Sequence, residues 1–332
     1  MRKNLETKKE DGMFSGGKFL SFTAGVILAI AALYLFSSFS LSNLVQTNKS
    51  GGTAAEEFPQ KYQIISPLLP SKIDFCGEGA PLGNMFVRER FEREIIVNTY
   101  YHSATLLGIK KANRWFPVIE PILKKNGIPD DFKYLVVIES NFDQLISPAG
   151  AVGFWQFTQG AAEKYGLRVD DEVDERYNVE KSTEAACEYL KSAYAQFHSW
   201  TLTAASYNMG TYGIAKQQER QKVKNYYNLL LGEETARYVS RILAVKAIFT
   251  NPAQYGYLIK KEDLYPQLQY DEVMVSSDIS NLADFSFQHG INYKLLKIFN
   301  PWLRDNTLTV KKGAQYVIKI PKKGSVEVIK EG

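Results

Sequence analysis

The sequence predicts a mainly α-helical protein, with one membrane-spanning helix before the helical domain and a small α+β module after it. Three patterns support this fold class. Apolar residues recur at helical spacing between residues 84 and 249, residues 19–48 contain no charged side chain, and apolar residues alternate with others near residues 316–320. The 332 residues correspond to about two domains.

The composition excludes several classes of function. Lysine and arginine number 40 against 36 acidic residues, which gives a net charge of +4, and no basic face is clustered, so we expect no nucleic-acid binding. Two cysteines and three widely separated histidines do not form a thiolate or HExxH zinc site, and the sequence contains no phosphate-binding loop. We therefore expect neither a metal nor a cofactor.

The N-terminal region has the pattern of a membrane anchor. Residues 1–18 carry an excess of basic side chains and are predicted to form a cytoplasmic tail, and residues 19–45 are predicted to cross the membrane. The rest of the chain is then exported. A cleaved signal peptide is the alternative, because the most apolar part, residues 24–36, is short and is followed by the small residues Ser38 and Ser40.

A predicted linker, residues 46–83, separates this anchor from the helical domain, since glycine and proline interrupt it repeatedly. It contains Cys76, whereas Cys187 lies on a predicted helix. Export makes a disulfide between these two cysteines chemically possible, and two free thiols are equally compatible with the sequence.

Residues 84–255 are predicted to form one helical domain, because their apolar residues recur every three or four positions. The clearest stripes are Val87, Phe91 and Ile95; Ala186, Leu190, Ala193 and Phe197; and Tyr238, Ile242, Val245 and Phe249. Asn178 is predicted to cap the second of these helices. Residues 256–270 lack a clear period and are interpreted as a connector.

One acidic residue stands in an apolar helix of this domain. The helix predicted to begin at Asp130 is apolar nearly all round and should be buried, and Glu139 continues the face of Leu135 at its end. Partial desolvation raises the pKa of a carboxyl group, which is what a general acid at neutral pH requires. Glu139 is thus a candidate catalytic acid; the alternatives are a buried structural glutamate or one that turns to solvent.

A compact run of small residues lies between Ser147 and Phe157 and ends in two aromatic residues around an amide. Small residues allow the backbone to approach a ligand closely, Trp155 could offer a stacking face for a sugar, and Gln156 can both donate and accept hydrogen bonds. The alternative is an ordinary tight turn with a buried tryptophan.

Four short motifs in this domain resemble, in order, those of soluble-lytic-transglycosylase-type enzymes, and most closely the membrane-bound lytic murein transglycosylases. They are Glu-Ser-Asn-Phe at 139–142, Gly-Ala-Val-Gly-Phe-Trp-Gln at 150–156, Ser-Tyr-Asn-Met-Gly at 206–210 and Glu-Thr-Ala-Arg-Tyr-Val at 234–239. The resemblance covers about residues 110–250. It implies a lysozyme-like fold that acts on peptidoglycan glycan strands, with Glu139 as the single catalytic acid. It also implies that five residues line the groove or support that acid: Ser147, Gln156, Tyr207, Asn208 and Tyr238.

The resemblance further implies a lyase reaction that breaks the bond between N-acetylmuramic acid and N-acetylglucosamine without water and leaves a 1,6-anhydro ring. It places the protein in the bacterial inner membrane as a single-pass protein, with its catalytic domain in the periplasm; protein partners are not predicted. A lysozyme-like hydrolase would need a second carboxylate, for which Asp143, Asp170 and Asp171 are candidates. The third hypothesis is a glycan-binding scaffold without activity.

The C-terminal module, residues 271–323, is predicted to fold in the order strand, helix, helix, strand, with Val273 and Val275 in the first strand and residues 316–320 in the last. This order resembles a divergent LysM module, a type that binds glycans containing N-acetylglucosamine. The usual Gly-Asp-Thr opening is replaced by Ser-Ser-Asp at residues 276–278, so the resemblance concerns the fold first and sugar binding second. Residues 324–332 are predicted to form a short tail.

Overall fold

A computed structural model of the protein describes residues 64–326. The predicted tail at 1–18, the predicted anchor at 19–45 and the first part of the predicted linker lie outside the described residues, as do residues 327–332. Within residues 64–326, no helix combines the length and the apolar character needed to cross a bilayer. The chain from Ser66 onward forms one unit, which contains both the helical domain and the C-terminal module.

The helical domain begins with a short β-hairpin and continues through eight α-helices. The elements are β1 (Asp74–Phe75), β2 (Glu78–Gly79), α1 (Met85–Tyr100), α2 (His102–Lys125), α3 (Lys133–Ser140), α4 (Gln159–Lys164), α5 (Val179–Phe197), α6 (Trp200–Met209), α7 (Thr211–Gln221) and α8 (Glu233–Thr250). The mainly α-helical prediction is confirmed, and short 3₁₀ turns connect several of these helices.

Side-chain caps begin several of these helices, because the first backbone N–H groups of a helix have no partner within it. Asn84 caps α1 by accepting from the amide of Phe86 at 3.0 Å. Asn178 caps α5 by accepting from the amide of Lys181 at 3.0 Å, as predicted from the sequence. Two residues of the predicted apolar stripes, Ile95 on α1 and Leu190 on α5, are fully buried in the core.

Helix α8 occupies the centre of the domain. It packs against α1, α3 and α6, and Val239, Ile242 and Ala244, which lie on different sides of it, are all completely buried. Because such a helix is surrounded by the core rather than by solvent, its different faces contact different helices. Of the two helices packed together here, α3 carries Glu139 and α8 carries Tyr238.

Part of the predicted linker belongs to the helical domain. Phe75 in the hairpin is fully buried, and its ring lies 5.0 Å from that of Phe132 in an edge-on arrangement. The carboxylate of Glu78 accepts hydrogen bonds at the start of α6, from the amides of Trp200 at 2.5 Å and Thr201 at 2.9 Å. The hydroxyls of Thr201 and Ser199 donate to the same carboxylate. Glycine and proline spacing does not reveal these contacts, because the residues that they join are remote in the chain.

The cysteines of the protein are both free thiols in the described chain. Cys187 is fully buried in the core on α5, and burial raises the pKa of its thiol to about 12. Burial also raises the pKa of the Cys76 thiol, next to the hairpin turn. Of the two possibilities that the sequence left open, the structure has the unpaired thiols.

The C-terminal module has the predicted order of elements: β3 (Tyr270–Val275), α9 (Leu282–Gln288), α10 (Tyr293–Phe299) and β4 (Tyr316–Pro321). The two strands pair antiparallel, with Tyr270 opposite Pro321. The module has its own core, and that core continues into the helical domain through Val173, which is fully buried. At the same boundary Glu172 accepts from the hydroxyl of Thr307 at 2.6 Å.

Glu78→Ala removes the carboxylate that the hairpin offers to the start of α6. We expect the free energy of unfolding to fall by about 1–3 kcal/mol, because several partly buried donors lose a charged partner. Urea unfolding followed by far-ultraviolet circular dichroism measures this. Glu89→Ala, at an exposed position of α1, is the matched control and should change stability by less than about 0.5 kcal/mol. Equal stability of the Glu78→Ala variant and the natural protein would contradict the prediction.

Candidate active site

Glu139 lies in the last turn of α3, the helix that the sequence predicted to be buried. Leu135 and Val136 on this helix are fully buried. The helix ends at Asn141, which has a left-handed backbone with φ +50°, and whose side-chain amide donates to the carbonyl of Ala104 at 2.9 Å. Gly108 makes room for this contact, because a Cβ there would lie 2.4 Å from Oδ1 of Asn141. The position of Glu139 is therefore fixed by packing on both sides of it.

The carboxyl group of Glu139 is half-buried and accepts a hydrogen bond from the hydroxyl of Tyr238. Burial raises the pKa of this carboxyl above its ordinary value, and the negative charge of Glu234 acts in the same direction. The Tyr238 hydrogen bond and the positive charge of Arg241 oppose the rise without cancelling it. The raised pKa agrees with the expectation drawn from the apolar helix, and both opposing groups come from α8.

Tyr238 and Tyr207 face this carboxyl group from two helices. Tyr238 is almost fully buried, and burial together with the neighbouring Glu139 holds its pKa well above the ordinary value for tyrosine. The hydroxyl of Tyr207 donates to the carbonyl of Trp155 at 2.7 Å, and burial likewise raises the pKa of Tyr207. The Tyr207 hydroxyl is therefore engaged in holding the loop that precedes α4.

Trp155 does not have the exposed position that stacking against a sugar would require. Its side chain is fully buried, and its indole N–H donates to the hydroxyl of Thr183 at 2.9 Å. It therefore offers no face on which a sugar could stack, and the alternative of a tight turn with a buried tryptophan describes the structure. The neighbouring Gln156 is half-exposed and has a left-handed backbone with φ +50°.

Ser147 and Gln156 shape the loop in which they lie. The hydroxyl of Ser147 accepts from the amide of Ala151 at 3.0 Å, and the side-chain amide of Gln156 donates to the carbonyls of Gly153 at 2.8 Å and Leu145 at 3.2 Å. These bonds close the loop on itself. Both side chains are partly exposed, so each could also meet a ligand at the loop surface.

A buried ion pair under this loop was not predicted from the sequence. Arg176 pairs with Asp174 at 2.7 Å, and its guanidinium also donates to the carbonyls of Gly150 at 3.2 Å and Phe157 at 3.3 Å. Gly153 lies against the same segment, and a Cβ there would be 2.2 Å from the carbonyl oxygen of Arg176. The two residues are a charged pair among many in the sequence, and only the fold shows that they support the motif.

Asn208 is held at the end of α6 by the first turn of α8. Its amide donates to Glu234 at 3.0 Å and its carbonyl oxygen accepts from the hydroxyl of Thr235 at 2.7 Å. These two contacts fix which way the amide group faces. Glu234 and Thr235 belong to the fourth motif, but neither was predicted to have a role at the site.

A cavity of about 500 Å³ opens beside Glu139 and is lined by α1, the start of α2, the end of α3 and one face of α8. Of the three candidate second carboxylates, Asp143 lines this cavity, and it pairs with Lys111 at 2.5 Å. Asp170 pairs with Arg168 at 2.5 Å, close to the C-terminal module, and Asp171 is exposed. Within residues 64–326, no three His, Cys, Asp or Glu side chains come together as a metal site would require.

Two parts of this chain match models of known protein families. Residues 116–230 match the family described as Transglycosylase SLT domain, and residues 271–324 match the Soluble lytic transglycosylase C-terminal LysM-like domain. The helical domain is thus similar to transglycosylase SLT domains, and the C-terminal module is similar to the LysM-like C-terminal domain of soluble lytic transglycosylases.

Particular relatives are similar to most of this chain. It is 30% identical over 258 residues to membrane-bound lytic murein transglycosylase D of Escherichia coli strain K12, a match that covers 75% of this chain and 55% of that protein. The protein of the same name from E. coli O6:H1 matches equally. The chain thus spans about half the length of these relatives. An X-ray structure of an inactive mutant of lytic transglycosylase Slt from Pseudomonas aeruginosa matches with a TM-score of 0.34 and 16% identity, covering 54% of this chain and 35% of that one.

Tyr238→Phe removes the hydrogen bond to Glu139 and leaves the ring in place. We expect the pKa of Glu139 to rise further, because this bond favours the ionised carboxylate. A ¹³C NMR titration of protein labelled at the glutamate side-chain carboxyl measures it, with the resonance assigned by its absence from Glu139→Gln. Tyr212→Phe, at an exposed site on α7, should leave the pKa unchanged. An unchanged or lower pKa in Tyr238→Phe would mean that the bond does not stabilise the carboxylate.

Proposed function

We propose that this protein is a membrane-anchored lytic transglycosylase. In this proposal it breaks the β-1,4 bond between N-acetylmuramic acid and N-acetylglucosamine in peptidoglycan and leaves 1,6-anhydromuramoyl ends. The observation that carries the proposal is the pairing of Glu139 with Tyr238 in an SLT domain: a half-buried carboxyl with a raised pKa, open to a cavity. A raised pKa makes a carboxyl group better suited to donate a proton near neutral pH and to take it back.

The first step breaks the glycosidic bond. Protonated Glu139 gives its proton to the oxygen that joins the two sugars, and the bond from C1 of the muramic acid to that oxygen breaks. The carbonyl oxygen of the 2-acetamido group of the same sugar closes on C1 and forms an oxazolinium ion. The carboxylate left on Glu139 is stabilised by the hydroxyl of Tyr238 and by the charge of Arg241.

The second step forms the anhydro ring and restores the enzyme. The Glu139 carboxylate takes the proton from the C6 hydroxyl of the muramic acid while O6 attacks C1. The bond from C1 to the acetamido oxygen breaks, and the acetamido group is regenerated. Glu139 is again protonated and no water is consumed, so a single carboxyl group acts first as acid and then as base.

The other candidate residues receive positioning or binding roles in this proposal. The amide of Asn208, which Glu234 and Thr235 orient, is suited to hold the acetamido group of the substrate. Ser147 and Gln156 keep the loop near the acid in shape and offer polar atoms at its surface. Tyr207 acts through the loop, since its hydroxyl holds the carbonyl of Trp155.

The proposed setting of the reaction is the outer face of a bacterial inner membrane. The uncharged run at residues 19–45, preceded by a basic segment, supports one N-terminal anchor with the helical domain in the periplasm. The name of the E. coli relatives includes the term membrane-bound. The proposed partner is the glycan strand of peptidoglycan, and the C-terminal module is proposed to add binding surface for it.

A lysozyme-like hydrolase is the second candidate function, because Asp143 lines the same cavity as Glu139. A hydrolase of this type needs a carboxylate that activates water or attacks C1. The Lys111 amine lies 2.5 Å from Asp143 and pairs with its carboxylate, which makes that carboxylate less available for this role. The arrangement around Glu139 argues against an inactive scaffold, because glycan binding alone does not require a half-buried glutamate with a raised pKa.

Digestion of purified peptidoglycan by the full chain, with products analysed by mass spectrometry, tests the proposed reaction. We expect anhydromuropeptides from the natural protein and a rate about 10²–10⁴-fold lower from Glu139→Gln, because the amide cannot transfer the proton. Glu89→Gln, on the exposed side of α1, is the control and should keep full activity. Products with reducing, hydrated muramic ends would identify the hydrolase instead, and glycan binding without products would identify the scaffold.

Asp143→Asn separates the two reactions by a different route. If Glu139 acts alone, we expect the variant to keep at least about a tenth of the rate and to form anhydro ends still, since the amide preserves the shape of the side chain. The rate of formation of anhydro ends measures this. A loss as large as that of Glu139→Gln would show that Asp143 is a second catalytic carboxylate.

A further inference from the structure

The cavity beside Glu139 is lined by charged side chains, and not all of them are paired with a group of opposite charge. Five acidic or basic side chains line it: Glu94, Glu139, Asp143, Arg237 and Arg241. Three of them are neutralised locally. Asp143 pairs with Lys111, and the buried Glu94 accepts from Arg237 at 2.7 Å and from Arg93 at 2.6 Å.

Arg241 has no such partner. Its guanidinium donates to the carbonyl of Ile138 at 2.8 Å, and among the described residues no carboxylate lies within ion-pair distance of it. Arg237, one turn earlier on the same face of α8, is by contrast committed to Glu94, which is only 2% exposed. The guanidinium of Arg241 has five N–H donors in a planar fork, so the bond to Ile138 leaves donors free to bind a second group.

The neighbouring acid does not neutralise Arg241 while it holds its proton. In the form that starts the proposed reaction, Glu139 is uncharged, and the cavity then carries the positive charge of Arg241 without compensation. The lining also includes three exposed side chains that are largely apolar: Val97, Tyr101 and Leu145. A ligand that fits this lining combines an apolar or sugar face with one negative charge.

We propose that Arg241 anchors a carboxylate-binding subsite beside Glu139, which takes a carboxylate of the muramic acid side of the substrate. This inference rests on the proposed function, since muramic acid is the sugar of peptidoglycan that bears a carboxylated substituent. The carboxylate comes either from the lactyl group itself, where no peptide is attached, or from the stem peptide, where one is. Arg241 thus selects carboxylated glycans over neutral ones, and its bond to Ile138 holds the guanidinium next to the acid.

Binding to the full chain in detergent, carrying Glu139→Gln so that nothing is cleaved, tests the subsite. Three ligands are compared: glycan strands with stem peptides, the same strands stripped of peptides so that the lactyl carboxylates are free, and stripped strands whose carboxylates have been converted to amides. The variants added to Glu139→Gln are Arg241→Gln, Arg241→Lys and, as a control, Arg220→Gln at an exposed site on α7 outside the cavity.

We expect Arg241→Gln to weaken binding of a carboxylated ligand about tenfold and to leave binding of the amidated strands within about twofold. Arg241→Lys should recover most of the loss, because it keeps the charge, and Arg220→Gln should change nothing. A loss on the stripped strands identifies the lactyl carboxylate, and a loss confined to the peptide-bearing strands identifies the stem peptide. Added salt should weaken binding of carboxylated strands more in the parent than in Arg241→Gln.

Equal losses on all three ligands would overturn the inference, because they would mean that Arg241 serves only to hold Ile138 and the end of α3. Unchanged binding of all three ligands would overturn it too. Arg241→Lys keeps the test valid if Arg241→Gln fails to fold, since its preference for carboxylated over amidated strands can be compared with that of the parent. If the strands bind equally well with and without Arg241, only this inference is contradicted. If none of the proteins binds any of the strands, the proposed function is contradicted as well.

Discussion

The proposed reaction depends on one carboxyl group that is kept partly out of water and can still ionise. Burial raises the pKa of the Glu139 carboxyl, and full exposure to water would return it toward its ordinary value. Helix α8 opposes this rise, because its Tyr238 donates to the carboxyl group and its Arg241 adds a positive charge nearby. Because α8 also lies at the centre of the domain, the helix that stabilises the core and the helix that adjusts the acid are the same.

Much of the fold could be predicted from the sequence, since periodic apolar stripes report directly on helices and strands. The three stripes of the helical domain lie on α1, α5 and α8, Asn178 caps α5, and the C-terminal module has the predicted strand and helix order. Glu139 could be singled out because an acid at the end of an apolar helix is rare. These features are local, so a single sequence contains them.

The contacts that could not be predicted join residues far apart in the chain. The burial of Trp155, the bond from Tyr207 to its carbonyl and the support of the loop by Arg176 all depend on which elements meet in three dimensions. The hairpin around Glu78 was assigned to a linker for the same reason: its partners on α6 are remote in sequence. Polar residues that hold a motif have no spacing of their own, and only the assembled fold distinguishes them from solvated surface residues.

The capping of α6 by Glu78 has a mechanical consequence. The chain that precedes the helical domain reaches it through the hairpin, and the Glu78 carboxylate joins this hairpin to the first turn of α6 by several hydrogen bonds. A pull on the preceding chain is therefore resisted by contacts that also order α6. The other end of that helix carries Asn208. A force on the preceding chain would therefore act on the position of Asn208 through the short helix α6.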